Sequence, residues 1–168
     1  MNQDHFEIER KFLIRYPDTK VLAGMGEWSE IEQTYLKETG DGFSARVRKR
    51  GRDGQYTYTH TVKQHITDIR RVEIEREIDA AEYAELLKKA DPKRQTIYKT
   101  RWVIPYAGKC FEIDLFPFWT DRAFMEIELS DENEAVDFPS VIEIIREVTD
   151  DKRYTNSALS MEIPYDVI

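Results

Sequence analysis

Ala45-Arg46-Val47-Arg48-Lys49-Arg50-Gly51-Arg52-Asp53-Gly54-Gln55-Tyr56-Thr57-Tyr58-Thr59-His60-Thr61-Val62-Lys63 is the stretch that decides the fold. An Asp-Gly pair sits between two arms that each alternate with period two, which is the pattern of a β-hairpin around a tight turn. In the first arm, Arg46, Arg48 and Arg50 share one face and Ala45 and Val47 the other. In the second, Thr57, Thr59, Thr61 and Lys63 oppose Tyr56, Tyr58, His60 and Val62.

The same period recurs outward in both directions. Residues 72–78 set Glu73, Glu75 and Glu77 against Val72, Ile74 and Ile78. Phe6 to Phe12 places Glu7, Glu9 and Lys11 on one side. Residues 97–104 carry Lys99 and Arg101, residues 110–116 carry Glu112 and Asp114, and residues 124–129 carry Glu126 and Glu128. With a further strand near Ile31–Lys37, eight strands are expected. Asp79-Ala80-Ala81-Glu82 reads as a capping box, opening a helix from Ala80 to Ala90. Short helices are also expected within 17–28, over 139–147 behind Pro139, and over 150–161. Many antiparallel strands with a few peripheral helices make an α+β protein.

Composition narrows the class. The chain has 168 residues, 40% of them hydrophobic and 35% charged, with a formal net charge of −8. A chain of this length can bury a core without disulfides, and its one cysteine, Cys110, excludes a disulfide framework and a cysteine-rich zinc site. His5, His60 and His65 lack a mutual ligand spacing. The acidic balance argues against nucleic acid, because phosphate affinity needs a positive surface. No run approaches 18 apolar residues, so no membrane helix is expected, and the N-terminus carries no secretory pattern. A cytoplasmic single domain over 1–168 is the expectation. Collagen-like, disordered and disulfide-scaffold classes are out.

Charged residues on a strand ordinarily face water. Here they are sorted: acid pairs at 7/9, 73/75, 112/114 and 126/128, base pairs at 46/48 and 99/101. Glu and Asp are poor strand formers, and like charges two apart lie about 6.5–7 Å from each other. Such pairs gain nothing in bulk water. Lining the lumen of a closed sheet, they make a site for a charged ligand. Carboxylates suit hard divalent cations, and Arg and Lys suit phosphate oxygens. Phosphoryl transfer needs positioning, charge neutralisation and an activated nucleophile. No Walker-type glycine loop occurs.

Glu7-Ile8-Glu9-Arg10-Lys11 resembles the ExExK signature of CYTH proteins, the triphosphate tunnel metalloenzymes. Further pieces follow in the family's order: Arg46-Val47-Arg48, Lys63, Glu73 with Glu75, Lys99-Thr100-Arg101, Glu112-Ile113-Asp114, Glu126-Ile127-Glu128, and Val148 to Tyr154 as the start of a C-terminal helix. The resemblance implies an eight-stranded antiparallel closed β-barrel, a tunnel with a charged lumen and a few peripheral helices. It implies Mg²⁺ or Mn²⁺ as cofactor and a small-molecule triphosphate as substrate. Family members hydrolyse tripolyphosphate, nucleoside triphosphates or thiamine triphosphate, or cyclise ATP. Short bacterial members of this kind are typically inorganic triphosphatases, and relatives often form homodimers. Phe124 departs from the pattern, standing where some relatives place a third acid.

On this resemblance, Glu7, Glu9, Glu126 and Glu128 hold a metal. Asp114, with Glu73 or Glu75, orients a second metal or the attacking water. Lys11, Arg46, Arg48, Lys63, Lys99, Arg101 and Lys152 bind phosphates, with Lys99 a further candidate for general acid or base. Two rival readings remain: a class IV-type adenylate cyclase, which uses the ribose hydroxyl as nucleophile, and a non-catalytic polyphosphate-binding module.

Overall fold

The computed structural model describes residues 8–40, 42–65 and 71–168. In chain order the elements are β1 (Ile8–Arg15), α1 (Thr19–Ala23), β2 (Glu27–Tyr35), β3 (Phe43–Arg52), β4 (Gln55–His65), β5 (Arg71–Ile78), α2 (Ala80–Leu87), β6 (Ile97–Tyr106), β7 (Lys109–Leu115), β8 (Arg122–Leu129), β9 (Ile144–Glu147), a 3₁₀ turn (Lys152–Tyr154) and α3 (Asn156–Leu159). This is the expected α+β mixture, an antiparallel sheet with a few short helices. The backbone groups into two units. One comprises residues up to 28 with 99–151 and Ile168, the other residues 29–98 with 152–167.

In the first unit the hydrogen-bonded order is β6-β7-β8-β1-β9, antiparallel throughout. One face of this sheet is apolar. Phe12 and Ile14 of β1, Met125, Ile127 and Leu129 of β8, Phe111, Ile113 and Leu115 of β7, and Trp102 and Ile104 of β6 form one buried cluster with Leu22 of α1. Each fully buried side chain of this size contributes about 1.5–3 kcal/mol. α1 is held by its Asp18 cap, whose carboxylate accepts from Lys20 N at 2.9 Å. Gly26 then brings the chain against β6. A Cβ there would stand 2.0 Å from the carbonyl oxygen of Val103, so no other residue fits.

In the second unit the order is β5-β4-β3-β2. Arg52 pairs with Gln55, and Asp53 and Gly54 between them have φ of 55° and 79°. Two positive φ angles in a two-residue loop make the type I′ turn that matches strand twist. Val47, Ile78 and Leu36 pack with Tyr83 of α2. α2 starts where the capping box put it: Asp79 accepts from Glu82 N at 2.8 Å.

Two expectations need correction. Residues 139–147 are not a helix. Ile144–Glu147 is a ninth strand that pairs with β1, Phe12 opposite Glu147, because β-branched Ile144 and Ile145 suit a strand and β1 offers an open ladder. The 150–161 helix is broken in two, since the Thr155 hydroxyl accepts from Ala158 N at 3.0 Å and starts a new helix there. The acidic segment 131–137 is loop: Asp131 accepts from Asn133 N at 2.8 Å in an Asx turn. Neither unit's sheet closes on itself, so the expected barrel closure is not made by hydrogen bonds within either unit.

Candidate functional site

Register decides which side chains share a face, because antiparallel partners point the same way. In the first unit Glu9 pairs with Glu128, Lys11 with Glu126 and Leu13 with Phe124. Glu112 pairs with Glu126 and Asp114 with Phe124, and Arg101 pairs with Asp114. Lys99 lies two residues before Arg101 on the same face. Glu9, Lys11, Lys99, Arg101, Glu112, Asp114, Glu126 and Glu128 therefore share the face opposite the apolar cluster. Several of them are withdrawn from water: Asp114 is 1% exposed, Lys99 3%, Arg101 8% and Glu126 9%. A solvated outer surface would leave them exposed.

Asp114 organises the cations of this face. Lys99 Nζ donates to its Oδ2 at 2.9 Å, and Arg101 donates through Nε to Oδ1 at 2.8 Å and through Nη2 to Oδ2 at 3.0 Å. Burial alone would raise this carboxyl's pKa, but the Lys99 ammonium and Arg101 guanidinium hold it well below the usual carboxylate range. Arg101 also meets Glu112 at 2.5 Å. Both Asp114 oxygens are thus engaged by Lys99 and Arg101.

The second cluster on this face is carboxylate-rich. Lys11 Nζ lies 3.1 Å from Glu126, and Glu9 is hydrogen-bonded to Glu126. Two carboxyls can share a hydrogen bond only when one keeps a proton. That contact, partial desolvation and the Glu126 charge push Glu9 up to about 8, against the pull of Lys11. Glu126 moves down: desolvation opposes the shift, but the hydrogen bond from Glu9 and the Lys11 charge outweigh it. The pair titrates as one unit. Phe124 closes the row with its ring 4.6 Å from the Lys11 ammonium, fully buried against Trp119 and Phe116.

The second unit has its own charged face. Gln33 pairs with Arg48 and Tyr35 with Arg46. Arg46 pairs with Thr61, Arg48 with Thr59 and Ser44 with Lys63. Lys63 pairs with Glu73 and Thr61 with Glu75. The basic residues centre on β3. Arg48 donates through Nε and Nη2 to Gln33 Oε1 at 2.9 and 2.8 Å. Arg50 donates to the Ser29 hydroxyl at 3.0 Å. Arg46 approaches Glu73 at 4.0 Å, and its buried Nε has no hydrogen-bond partner among the described residues. Glu73 and Glu75 are exposed, with Glu75 accepting from Thr61 at 2.9 Å. Lys152 is exposed on the 3₁₀ turn.

Register therefore assembles Glu9, Lys11, Lys99, Arg101, Asp114, Glu126 and Glu128 on one face, and Arg46, Arg48, Lys63, Glu73 and Glu75 on the other unit's face. Glu7 and His5 lie outside the described residues. His60 lies on the opposite face of β4, against Arg76. Sequence reasoning placed Arg50 on the basic face without giving it a role, and missed Gln33 and Thr61, which carry no charge. Among the described residues, no three His, Cys, Asp or Glu side chains form a ready-made metal cluster. The chemistry of the donor set still fits a hard divalent cation: the Glu126 and Glu128 carboxyls both act electrostatically on Glu9, and carboxylate oxygens are the ligands such a cation prefers.

A sheet face of grouped carboxylates beside oriented cations defines a protein class built to handle a polyanion together with a divalent metal. The CYTH domain matches residues 5–155, and the chain belongs to the CYTH family, whose fold is the triphosphate tunnel. It is 33% identical over 162 residues to the inorganic triphosphatase of Nitrosomonas europaea, covering 94% of this chain and 99% of that protein. It is 36% identical over 160 residues to the inorganic triphosphatase of Acetivibrio thermocellus, covering 95% of each. A crystal structure of an inorganic triphosphatase superposes with a TM-score of 0.64 at 31% identity, covering 95% of this chain and 97% of that one.

Proposed function

We propose that this chain is a divalent-metal-dependent inorganic triphosphatase that cleaves the terminal phosphoanhydride of tripolyphosphate, with nucleoside triphosphates as secondary substrates. The observation that carries the reading is the pair of exposed Glu9 and buried Glu126 beside Lys11, on the same sheet face as the buried Lys99–Asp114–Arg101 group. The two relatives of matching length, both inorganic triphosphatases, support it.

Metal dependence is general among CYTH triphosphatases. Glu9, Glu126 and Glu128, with Glu7, would hold the cation, and Mg²⁺ or Mn²⁺ suits their oxygens. When bound, it neutralises charge on the phosphate oxygens. Lys11, Arg46, Arg48, Lys63 and Arg101 are the residues assigned to bind phosphate oxygens. Lys99, which donates to Asp114, is assigned as a donor to the leaving phosphate. Glu73 and Glu75, the exposed acids, are the residues assigned to orient the attacking water. Water attacks the terminal phosphorus in line, the P–O bond to the leaving group breaks, and phosphate and pyrophosphate result. Lys152 is assigned to phosphate on the family resemblance. The proposal treats residues 1–168 as one cytoplasmic catalytic domain, able to form a homodimer.

The test is phosphate release from tripolyphosphate and from ATP, side by side, with Mg²⁺, with Mn²⁺ and with EDTA. Fast metal-dependent release from tripolyphosphate with little ATP turnover is expected. Conversion of ATP to cyclic AMP and pyrophosphate, or tight tripolyphosphate binding without turnover, would overturn the assignment.

A further inference from the structure

Gln33 is fully buried, at 0% exposure, in the middle of the charged face of its unit. Burying a carboxamide is costly unless its hydrogen bonds are made. Both ends of this one are engaged: Oε1 accepts from Arg48 Nε at 2.9 Å and Nη2 at 2.8 Å, and Nε2 donates to the Tyr35 hydroxyl at 2.7 Å. Two N–H bonds from one edge of a guanidinium onto a single oxygen fix the plane of the group, and hence the direction of its remaining N–H bonds.

A carboxylate at position 33 would make the same two bonds to Arg48. Geometry alone therefore does not call for glutamine. The other unit meets the same need with an acid: Asp114 orients Lys99 and Arg101 and offsets their charge. For two arginines of β3 the hydrogen-bond acceptor named above is neutral: the Gln33 amide holds Arg48, and the Ser29 hydroxyl holds Arg50, while Arg46 approaches the Glu73 carboxylate. A neutral acceptor orients a cation and adds no negative charge beside it, which leaves more of the positive potential for an incoming anion.

We propose that Gln33 is a positioning residue for triphosphate binding, aiming the Arg48 guanidinium through a buried hydrogen-bond pair while adding no charge that would compete with the phosphate oxygens. The inference rests on the triphosphatase reading above. It assigns a role to a residue that carries neither charge nor chemistry of its own.

The decisive comparison is Gln33→Glu against Gln33→Leu, each assayed for kcat and KM with tripolyphosphate and the preferred divalent metal, with thermal melts to confirm folding. Gln33→Glu keeps the hold on Arg48 and adds a charge, so KM should rise at least about tenfold, with kcat changed by less than about threefold. Gln33→Leu removes the hold and adds no charge, so its KM should rise less, with the greater loss in kcat. A purely structural glutamine predicts the reverse order, with Gln33→Glu near wild type and Gln33→Leu damaged mainly in its melt. A folded Gln33→Glu with wild-type KM overturns the proposal. If Gln33→Glu does not fold, Arg48→Lys decides: it keeps the charge but loses the two-bond edge contact with Gln33. Paired with Gln33→Leu it should show non-additive losses in kcat/KM, and additive losses overturn the proposal. A wild-type chain that fails to hydrolyse tripolyphosphate refutes the parent reading and is seen before any variant is made.

Discussion

At the scale of single residues, two carboxyl sites divide the work of the first unit. On the proposed assignment Glu9 helps to hold the metal, so Glu9→Gln should lower metal-dependent turnover by roughly 10–100-fold or more while leaving the fold intact. Phosphate release measured beside circular dichroism checks both halves. Asp114 is different, because it lies between two buried cations. Asp114→Asn should cost about 3–5 kcal/mol, the usual penalty for leaving buried charge uncompensated, read as a fall in denaturation midpoint. The sign of its pH dependence follows from the depressed pKa. The folded carboxyl ionises below the unfolded value near 3.9, so its stabilisation is complete above about pH 4 and is lost as pH falls further. Acid titration of the wild type should show that loss, and Asp114→Asn should lack it.

The residues also explain what was legible in the sequence. Arg46, Arg48, Glu126 and Glu128 announce themselves because paired like charges on a strand are rare enough to stand out. The Glu9–Glu126 contact is not legible, since it depends on the register of strands more than a hundred residues apart. Gln33 leaves no trace either: a single amide among Ile31, Glu32 and Thr34 looks like any polar strand residue until its burial is seen.

Among the elements, alternation and turn chemistry located the hairpins, and the Asp53-Gly54 loop came out as a type I′ turn. Gly54→Ala should therefore destabilise the chain by about 1–2 kcal/mol through backbone strain at positive φ, with KM for tripolyphosphate unchanged, measured by chemical denaturation and kinetics. A second loop of this kind, Ala107-Gly108 with φ of 50° and 76°, links β6 to β7. β9 was misread because four apolar residues within 141–145 satisfy a helical face as readily as a strand. What settles the choice is a partner, the open side of β1, which local pattern does not contain. Arg10 to Glu147 at 2.6 Å and Arg15 to Glu143 at 3.0 Å flank that pairing, though exposed ion pairs of this kind contribute only about 0–1 kcal/mol each.

For the whole molecule, each unit has its own cluster of buried apolar side chains among the described residues. Metal removal should then separate activity from folding. EDTA is expected to abolish phosphate release while leaving the far-ultraviolet dichroism unchanged, and excess Mg²⁺ or Mn²⁺ to restore it. Loss of secondary structure in EDTA would mean that the cation is structural. Among the described residues, no helix is long and apolar enough to cross a membrane.

The pairing of β1 with β8 sets a schedule for the ribosome. Ile8 meets Leu129 and Arg15 meets Arg122, so β1 emerges and waits for a partner still to be translated. At typical synthesis rates the delay is roughly 5–25 s. During it, Phe12-Leu13-Ile14, each at most 4% exposed in the finished protein, has no sheet to join. Charged Glu9, Arg10, Lys11 and Arg15 bracket that apolar triplet on both sides, as gatekeepers do around segments prone to aggregate. Two of these charges, Glu9 and Lys11, are also assigned to the proposed site, so the same side chains would serve the nascent chain and the finished one.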